Sequence, residues 1–136
     1  DRACAELGAK AVAIADIHKV AAEVFSPCAM GASINSDTIH EIQAVVIAGA
    51  ANNQLASDDL GEVLLARDIL YAPDYVINAA GIIDLYHQSI KSTPEQLKAH
   101  IESIGDTLTD IFKRSQAENQ ATNMIANLLA EAKFKK

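Results

Sequence analysis

Short apolar runs alternate with helical patterns along the first part of the chain. The runs occupy residues 11–14, 24–25, 45–49, 69–71 and 75–77, and VVIAG at 45–49 is apolar throughout, as expected of a parallel strand covered on both faces. Helical spacing is present in residues 1–8, 35–44 and 57–66, where Asn35 or Ser36 and then Ser57 are candidate N-caps. Strands that alternate with helices predict right-handed crossovers and a parallel α/β sheet.

Beyond Asn78 the pattern becomes helical throughout. Thr93, Pro94 and Gln96 form the N-terminal pattern of a long helix, with a cap, a proline at the first helical position and a glutamine three residues after the cap. A last helix is predicted over residues of about 120–132. The long helix is expected to turn five apolar residues inward: Leu97, Ile101, Ile104, Leu108 and Ile111.

Composition and charge narrow the function classes. The 136 residues are half apolar with a formal net charge of −7, which predicts one folded domain and no basic surface for nucleic acid. No apolar run approaches the roughly 20 residues of a membrane span, so we expect a soluble, cytoplasmic protein. Cys4 and Cys28 are expected to be reduced thiols. The four histidines share no spacing with carboxylates or cysteines, so we predict surface histidines and no metal site.

Three segments that follow predicted strands combine small residues with amides or a thiol. They are SPCAMG at 26–31, GAANNQ at 49–54 and NAAG at 78–81. In parallel sheets, ligands bind beyond the carboxyl ends of the strands, and small residues let a ligand approach the backbone. The sequence therefore predicts a ligand site where these turns meet. From local pattern alone, Asn52 and Asn53 are equally consistent with an ordinary turn, and Cys28 fits a small buried residue at a strand end better than a nucleophile.

The stretches SPCAMGASIN, VIAGAANNQL and YAPDYVINAAG, in that order, resemble the leucine dehydrogenase branch of the glutamate, leucine, phenylalanine and valine dehydrogenases. The resemblance covers nearly the whole chain. It implies that residues 1–90 form the second half of a Rossmann-like NAD-binding domain and that residues 91–136 pack on it as a helical extension. The expected fold class is α/β, a partial Rossmann-like parallel sheet with flanking helices and an all-helical C-terminal tail.

The same resemblance implies roles for individual residues. Asn52 or Asn53 would bind NAD near the nicotinamide ribose, and Asn78 would lie at the nicotinamide and substrate end. Matching positions place Ile82 and Leu85 in the substrate side-chain pocket, although ordinary core positions are the alternative; their aliphatic character favours an aliphatic L-amino acid such as leucine or valine. The loop that would run along the cofactor comprises Pro27, Cys28 and Ala29.

The chain departs from the family in two positions and carries only part of its machinery. Ala80 stands where the family usually has glycine, and Asp84 where the leucine enzymes usually have asparagine. No G-x-G-x-x-G is present, and no segment matches the family's catalytic lysines and aspartate, so no catalytic residue is assigned. We expect a C-terminal fragment, inactive alone, of a homo-oligomeric oxidoreductase that deaminates an amino acid to its 2-oxo acid. The alternative is a non-catalytic, truncated nucleotide-binding or assembly module.

Overall fold

A computed structural model describes residues 2–135. Short strands and helices alternate in the first half, and four helices follow. The helices are α1 (Arg2–Leu7), α2 (Leu60–Ala66), α3 (Asp74–Ile77), α4 (Ala80–Ser89), α5 (Pro94–Glu118) and α6 (Thr122–Phe134), and the strands are β1 (Val24–Phe25), β2 (Val46–Ile47) and β3 (Leu70–Tyr71). Two 3₁₀ turns lie at Ile14–Lys19 and Ile39–Glu41.

The three strands form a parallel sheet in the order β1-β2-β3, as the alternating pattern predicts. Val46 of β2 pairs with Val24 on one side and with Leu70 on the other. Ile47 in this central strand is fully buried, as expected of a strand covered on both faces. Aliphatic residues and one tyrosine form the core around it: Ile34, Ile39, Ile42, Ala44, Leu60, Leu64, Ile69 and Tyr71.

The long helix α5 begins as its sequence predicts. Thr93 Oγ1 accepts from the main-chain N–H of Gln96, and Gln96 Oε1 accepts from that of Thr93, so the capping box is complete. Of the five residues predicted to face inward, Ile111 is buried and the other four are half-buried. Ile111 packs with Ile125 and Ala126 of α6 in a second, smaller core.

Three predicted elements are wrong. Residues 11–14 form no strand; they are exposed and pair with no strand among the described residues. Residues 35–44 form only the short 3₁₀ turn, because the Asn35 side chain accepts from the N–H groups of Asp37 and Thr38 and closes a local turn. Residues 75–77 are helical, because Pro73 starts a helical turn whose Val76 packs against the second core.

The helical second half contacts the sheet region through α6. Thr122 Oγ1 donates to the carbonyl oxygen of Tyr71 over 2.7 Å, and Asn123 Nδ2 donates to that of Asp58 over 2.9 Å. Helix α5 packs on α3, α4 and α6. Among residues 2–135, no helix combines the length and apolar character that crossing a membrane requires.

Candidate functional site

The first predicted turn, 26–31, directly follows β1. Pro27 is buried, while Cys28 and Ala29 are exposed. The Ser26 hydroxyl, 3.4 Å from the Cys28 sulfur, and the main-chain N–H of Ala50 lower the pKa of the Cys28 thiol. Cys28 therefore presents a free thiol at the surface of the turn, and the prediction that it is buried is wrong.

The second turn, 49–54, is held from inside by a buried amide. Gln54 is fully buried and donates from Nε2 to the carbonyl oxygens of Gly49, over 2.7 Å, and Ala51, over 3.0 Å. Asn53 adopts the left-handed conformation with φ at 53°, which asparagine tolerates better than most residues. Asn52 and Asn53 consequently sit on the exposed side of a turn whose backbone is tied down.

These two turns contact each other through their backbones. The N–H of Ala51 donates to the carbonyl of Pro27 over 2.9 Å, and the N–H of Ala32 donates to that of Asn53 over 2.7 Å. A Cβ on Gly49 would lie 2.6 Å from Cδ of Pro27 and closer still to the Pro27 carbonyl oxygen. Only glycine at position 49 permits this approach.

The third turn, 78–81, joins them through Asn78. Its Nδ2 donates to Asn52 Oδ1 over 2.6 Å and to the carbonyl oxygen of Ala50 over 3.3 Å. This turn follows α3 rather than a strand, so the expectation that it lies at a strand end is wrong. The structure nevertheless brings all three turns together at one edge of the sheet.

Helix α4 begins immediately after the third turn. Ala80 takes up its first helical position and is not among the residues with a positive φ. Ile82 and Leu85 are three residues apart on one face and are 68% and 61% exposed, which makes both of them surface residues of the described chain. Asp84 accepts from Nε2 of Gln88 over 2.8 Å and is half-buried.

One of the four histidines contradicts the prediction of surface positions. His87 of α4 is only 8% exposed, and its Nε2 lies 2.9 Å from Nδ1 of His100 on α5. Its Nδ1 contacts the hydroxyl of Ser92. The pair arises because α4 packs on α5, which residue spacing along the chain does not reveal. No group of three or more His, Cys, Asp or Glu side chains is arranged to hold a metal in the described part of the chain.

Three buried polar residues of the site were not predicted from the sequence. They are Gln54, described above, and the pair Tyr71 and Asp74, whose carboxylate accepts from the main-chain N–H of Asn53 over 2.7 Å. Burial raises the pKa of the Tyr71 hydroxyl well above its usual value, and the hydrogen bond to Asp74 raises it further. The sequence offered one signal for Asp74: it is a charged residue that directly follows the apolar stretch ending at Pro73.

The chemistry of these groups fits a nicotinamide dinucleotide. The exposed side chains of Asn52 and Asn53 and the half-buried side chain of Asn78 offer neutral donors and acceptors, which orient an uncharged carboxamide and ribose hydroxyls without adding charge. Small residues around them let a flat ring approach the backbone. A parallel sheet with amide-bearing turns at one edge places the chain in the class of Rossmann-like cofactor-binding folds.

Comparison with known proteins specifies the family. The profile of Glutamate/Leucine/Phenylalanine/Valine dehydrogenase matches residues 2–135, and the chain belongs to this family of dehydrogenases. It is 41% identical to leucine dehydrogenase of Bacillus cereus over 133 residues, and 44% identical to L-tryptophan dehydrogenase of Nostoc punctiforme over 125 residues. These alignments cover 98% and 91% of this chain but 36% and 35% of the relatives, so the chain spans about a third of their length.

The fold agrees with that membership. The crystal structure of L-tryptophan dehydrogenase from Nostoc punctiforme superposes with a TM-score of 0.91 at 40% identity, over 96% of this chain and 39% of that one. The Rossmann-like α/β class predicted from the sequence is thereby confirmed, and so is the resemblance to the amino-acid dehydrogenases.

Proposed function

We propose that this chain supplies the nicotinamide end of an NAD site to an L-amino-acid dehydrogenase of the leucine and valine type. The reaction is reversible oxidative deamination to a 2-oxo acid and ammonia. The observation that carries the proposal is the hydrogen bond from Asn78 to Asn52, which joins two amide-bearing turns at the sheet edge. Membership in a dehydrogenase family supports it.

Different residues would contact different parts of the cofactor. In this proposal Pro27, Cys28 and Ala29 lie along the dinucleotide, Asn52 or Asn53 hydrogen-bonds the nicotinamide ribose, and Asn78 holds the carboxamide at the substrate end. NAD supplies the hydride acceptor at nicotinamide C4. The chain's contribution is to hold that ring in one orientation, because hydride transfer requires a close approach to the substrate α-carbon.

Substrate choice is assigned to the exposed face of α4. Ile82 and Leu85 project there next to the third turn and carry no polar group that could bind a glutamate side chain. Relatives named for leucine and for tryptophan are similarly close to this chain, so overall identity does not distinguish aliphatic from aromatic substrates. The aliphatic side chains favour leucine and valine.

The wider organisation is also proposed. Residues 1–90 would be the second half of a Rossmann-like domain and residues 91–136 its helical extension, which the contacts of α5 and α6 with the preceding elements support. We propose a homo-oligomer, supported by exposed apolar side chains such as Ile14 and Ile90. Two free thiols, Cys4 and Cys28, are typical of a cytoplasmic protein. A polypeptide of these 136 residues alone should be inactive, because no catalytic residue is assigned within it.

The decisive experiment uses protein expressed from the complete reading frame. NADH or NADPH formation at 340 nm is followed with leucine, valine, phenylalanine, tryptophan and glutamate. We expect turnover of leucine and valine with NAD. Turnover of glutamate alone, or NADP dependence, would contradict the substrate or cofactor assignment. NAD binding without turnover of any amino acid would favour the alternative, a non-catalytic nucleotide-binding or assembly module, for which the departures at Ala80 and Asp84 speak.

A further inference from the structure

Asp74 is a buried carboxylate without a cationic partner. It is 7% exposed, and among residues 2–135 no lysine, arginine or histidine forms an ion pair with it. Two neutral donors compensate for its burial: the main-chain N–H of Asn53 at 2.7 Å and the hydroxyl of Tyr71 at 2.8 Å. Burying a carboxylate is costly even when it is hydrogen-bonded, and an apolar side chain would avoid that cost. The cost of burying this carboxylate indicates that it holds a specific group in place.

That group is the peptide unit between Asn52 and Asn53. Since N–H and C=O point in opposite directions across a trans peptide, holding the N–H of Asn53 against Asp74 directs the carbonyl of Asn52 away from it. That carbonyl oxygen faces Gly31, where a Cβ would lie 2.9 Å from it. The carbonyl of the next peptide unit, that of Asn53, lies near Gly31 as well and accepts from the N–H of Ala32. Asp74 thus decides which way this peptide faces.

Tyr71 in turn orients the carboxylate. Its hydroxyl donates to Oδ1 of Asp74 and accepts from the Asp74 N–H over 3.2 Å, which leaves Oδ2 directed at Asn53. We infer that Asp74 is a positioning residue for the dinucleotide: it holds the Asn52–Asn53 peptide, and Tyr71 acts through it. The inference rests on the function proposed above. It adds two residues that do not touch the cofactor but set its affinity.

The test measures NAD binding by calorimetry on protein from the complete reading frame. The variants are Asp74→Asn, Asp74→Ala, Tyr71→Phe and the double variant Tyr71→Phe/Asp74→Ala. Thr122→Val is the matched control, because it removes a buried hydrogen bond to the main chain of Tyr71 and leaves the turn untouched. Thermal unfolding of every variant is recorded alongside.

We expect the Kd for NAD to rise about tenfold in Asp74→Ala, as for loss of a hydrogen bond to a charged group, and less in Asp74→Asn, whose amide oxygen can still accept from Asn53. The KM of the amino acid should change less than the Kd in each variant. Tyr71→Phe should raise the Kd less, and should add nothing in the Asp74→Ala background. Thr122→Val should lower Tm and leave the Kd unchanged. Asp74→Asn keeps the shape of the side chain and so provides the measurement if Asp74→Ala does not fold.

The measurements distinguish failure of this inference from failure of the proposed function. If the parent binds NAD and the Asp74 variants bind it equally well, with only Tm lowered, Asp74 is merely structural and the inference is overturned. If the parent binds no nicotinamide dinucleotide, the proposed function fails, and the inference fails with it.

Discussion

Nδ2 of Asn78 lies 2.6 Å from Oδ1 of Asn52, although the two residues are 26 positions apart. The same nitrogen donates to the carbonyl of Ala50, so one side chain ties the third turn to the second. The connection between the two turns therefore depends on the side-chain amide of Asn78.

Removal of that amide is expected to weaken cofactor use. Asn78→Ala loses two hydrogen bonds, each with a net contribution of about 1 kcal/mol, so kcat/KM for NAD should fall about tenfold or more. Steady-state kinetics on protein from the complete reading frame provide the measurement. Asn127→Ala is the control, because the amide of Asn127 also takes part in a side-chain hydrogen bond, accepting from Tyr75, but lies on α6. Equal effects of the two variants would argue against a role for Asn78 at the site.

The contact between Gly49 and Pro27 predicts a large effect of one methyl group. In Gly49→Ala the new Cβ would overlap backbone atoms of Pro27, which cannot rotate away, so the first two turns must separate. We expect a loss of about 1–3 kcal/mol in the free energy of unfolding, as for overpacking, together with weaker NAD binding. Chemical denaturation measures the first effect.

A matched glycine supplies the control for this variant. Gly105 lies inside α5, and nothing lies within 4 Å of the position a Cβ would take. Gly105→Ala should therefore stabilise the protein by about 0.5–1 kcal/mol through helix propensity. Destabilisation by both variants, to a similar extent, would contradict the steric explanation.

The capping box of α5 predicts a local loss of stability. Thr93→Ala removes the oxygen that accepts from the N–H of Gln96, and should lower the free energy of unfolding by about 1 kcal/mol. Thr109→Ala, in the middle of the same helix and exposed, should cost nothing, because alanine is the better helix former. Denaturant unfolding of both variants tests the difference, and a Thr93 variant as stable as the parent would show that the cap contributes little.

Tyr75 predicts a loss of stability at alkaline pH. Partial burial of this half-exposed residue, with the charges of Asp58 and Asp74, raises the pKa of its hydroxyl to about 12. The folded state therefore holds this proton more tightly than the unfolded state, whose tyrosines titrate near 10. The resulting stability is present below pH 10 and lost as the pH rises through 12.

The slope of stability with pH tests this assignment. Tyr75→Phe should be less stable than the parent at pH 8, since it loses hydrogen bonds to Asn123 and Asn127, yet should lose stability less steeply above pH 10. Identical slopes for the parent and Tyr75→Phe would refute the prediction.

Local signals in the sequence predicted the elements that depend on neighbouring residues. The cap at Thr93 involves a partner three residues away, and the strand around Ile47 is apolar at every position. Both are visible in a short window. The positions of the first two turns followed from the predicted strands before them, because parallel strands carry their turns to one edge.

Elements that depend on distant packing could not be predicted. Residues 75–77 favour a strand by composition, but Val76 contacts the core that Ile111 and Ile125 build far along the chain. His87 is buried only because α4 packs on α5 and brings His100 to it. Likewise, nothing near Asp74 in the sequence indicates that its carboxylate holds a turn 21 residues earlier.

The close approach of Gly49 to Pro27 leaves position 49 almost no freedom to vary, because any larger residue there would collide with backbone. The neighbouring helix α4 is different: Ile82 and Leu85 project from the described chain with little packing around them, so other side chains at these positions would cost folding little. Under the proposed function, substrate preference would therefore change by exchange of residues on this helical face, without any change in the two turns assigned to the cofactor.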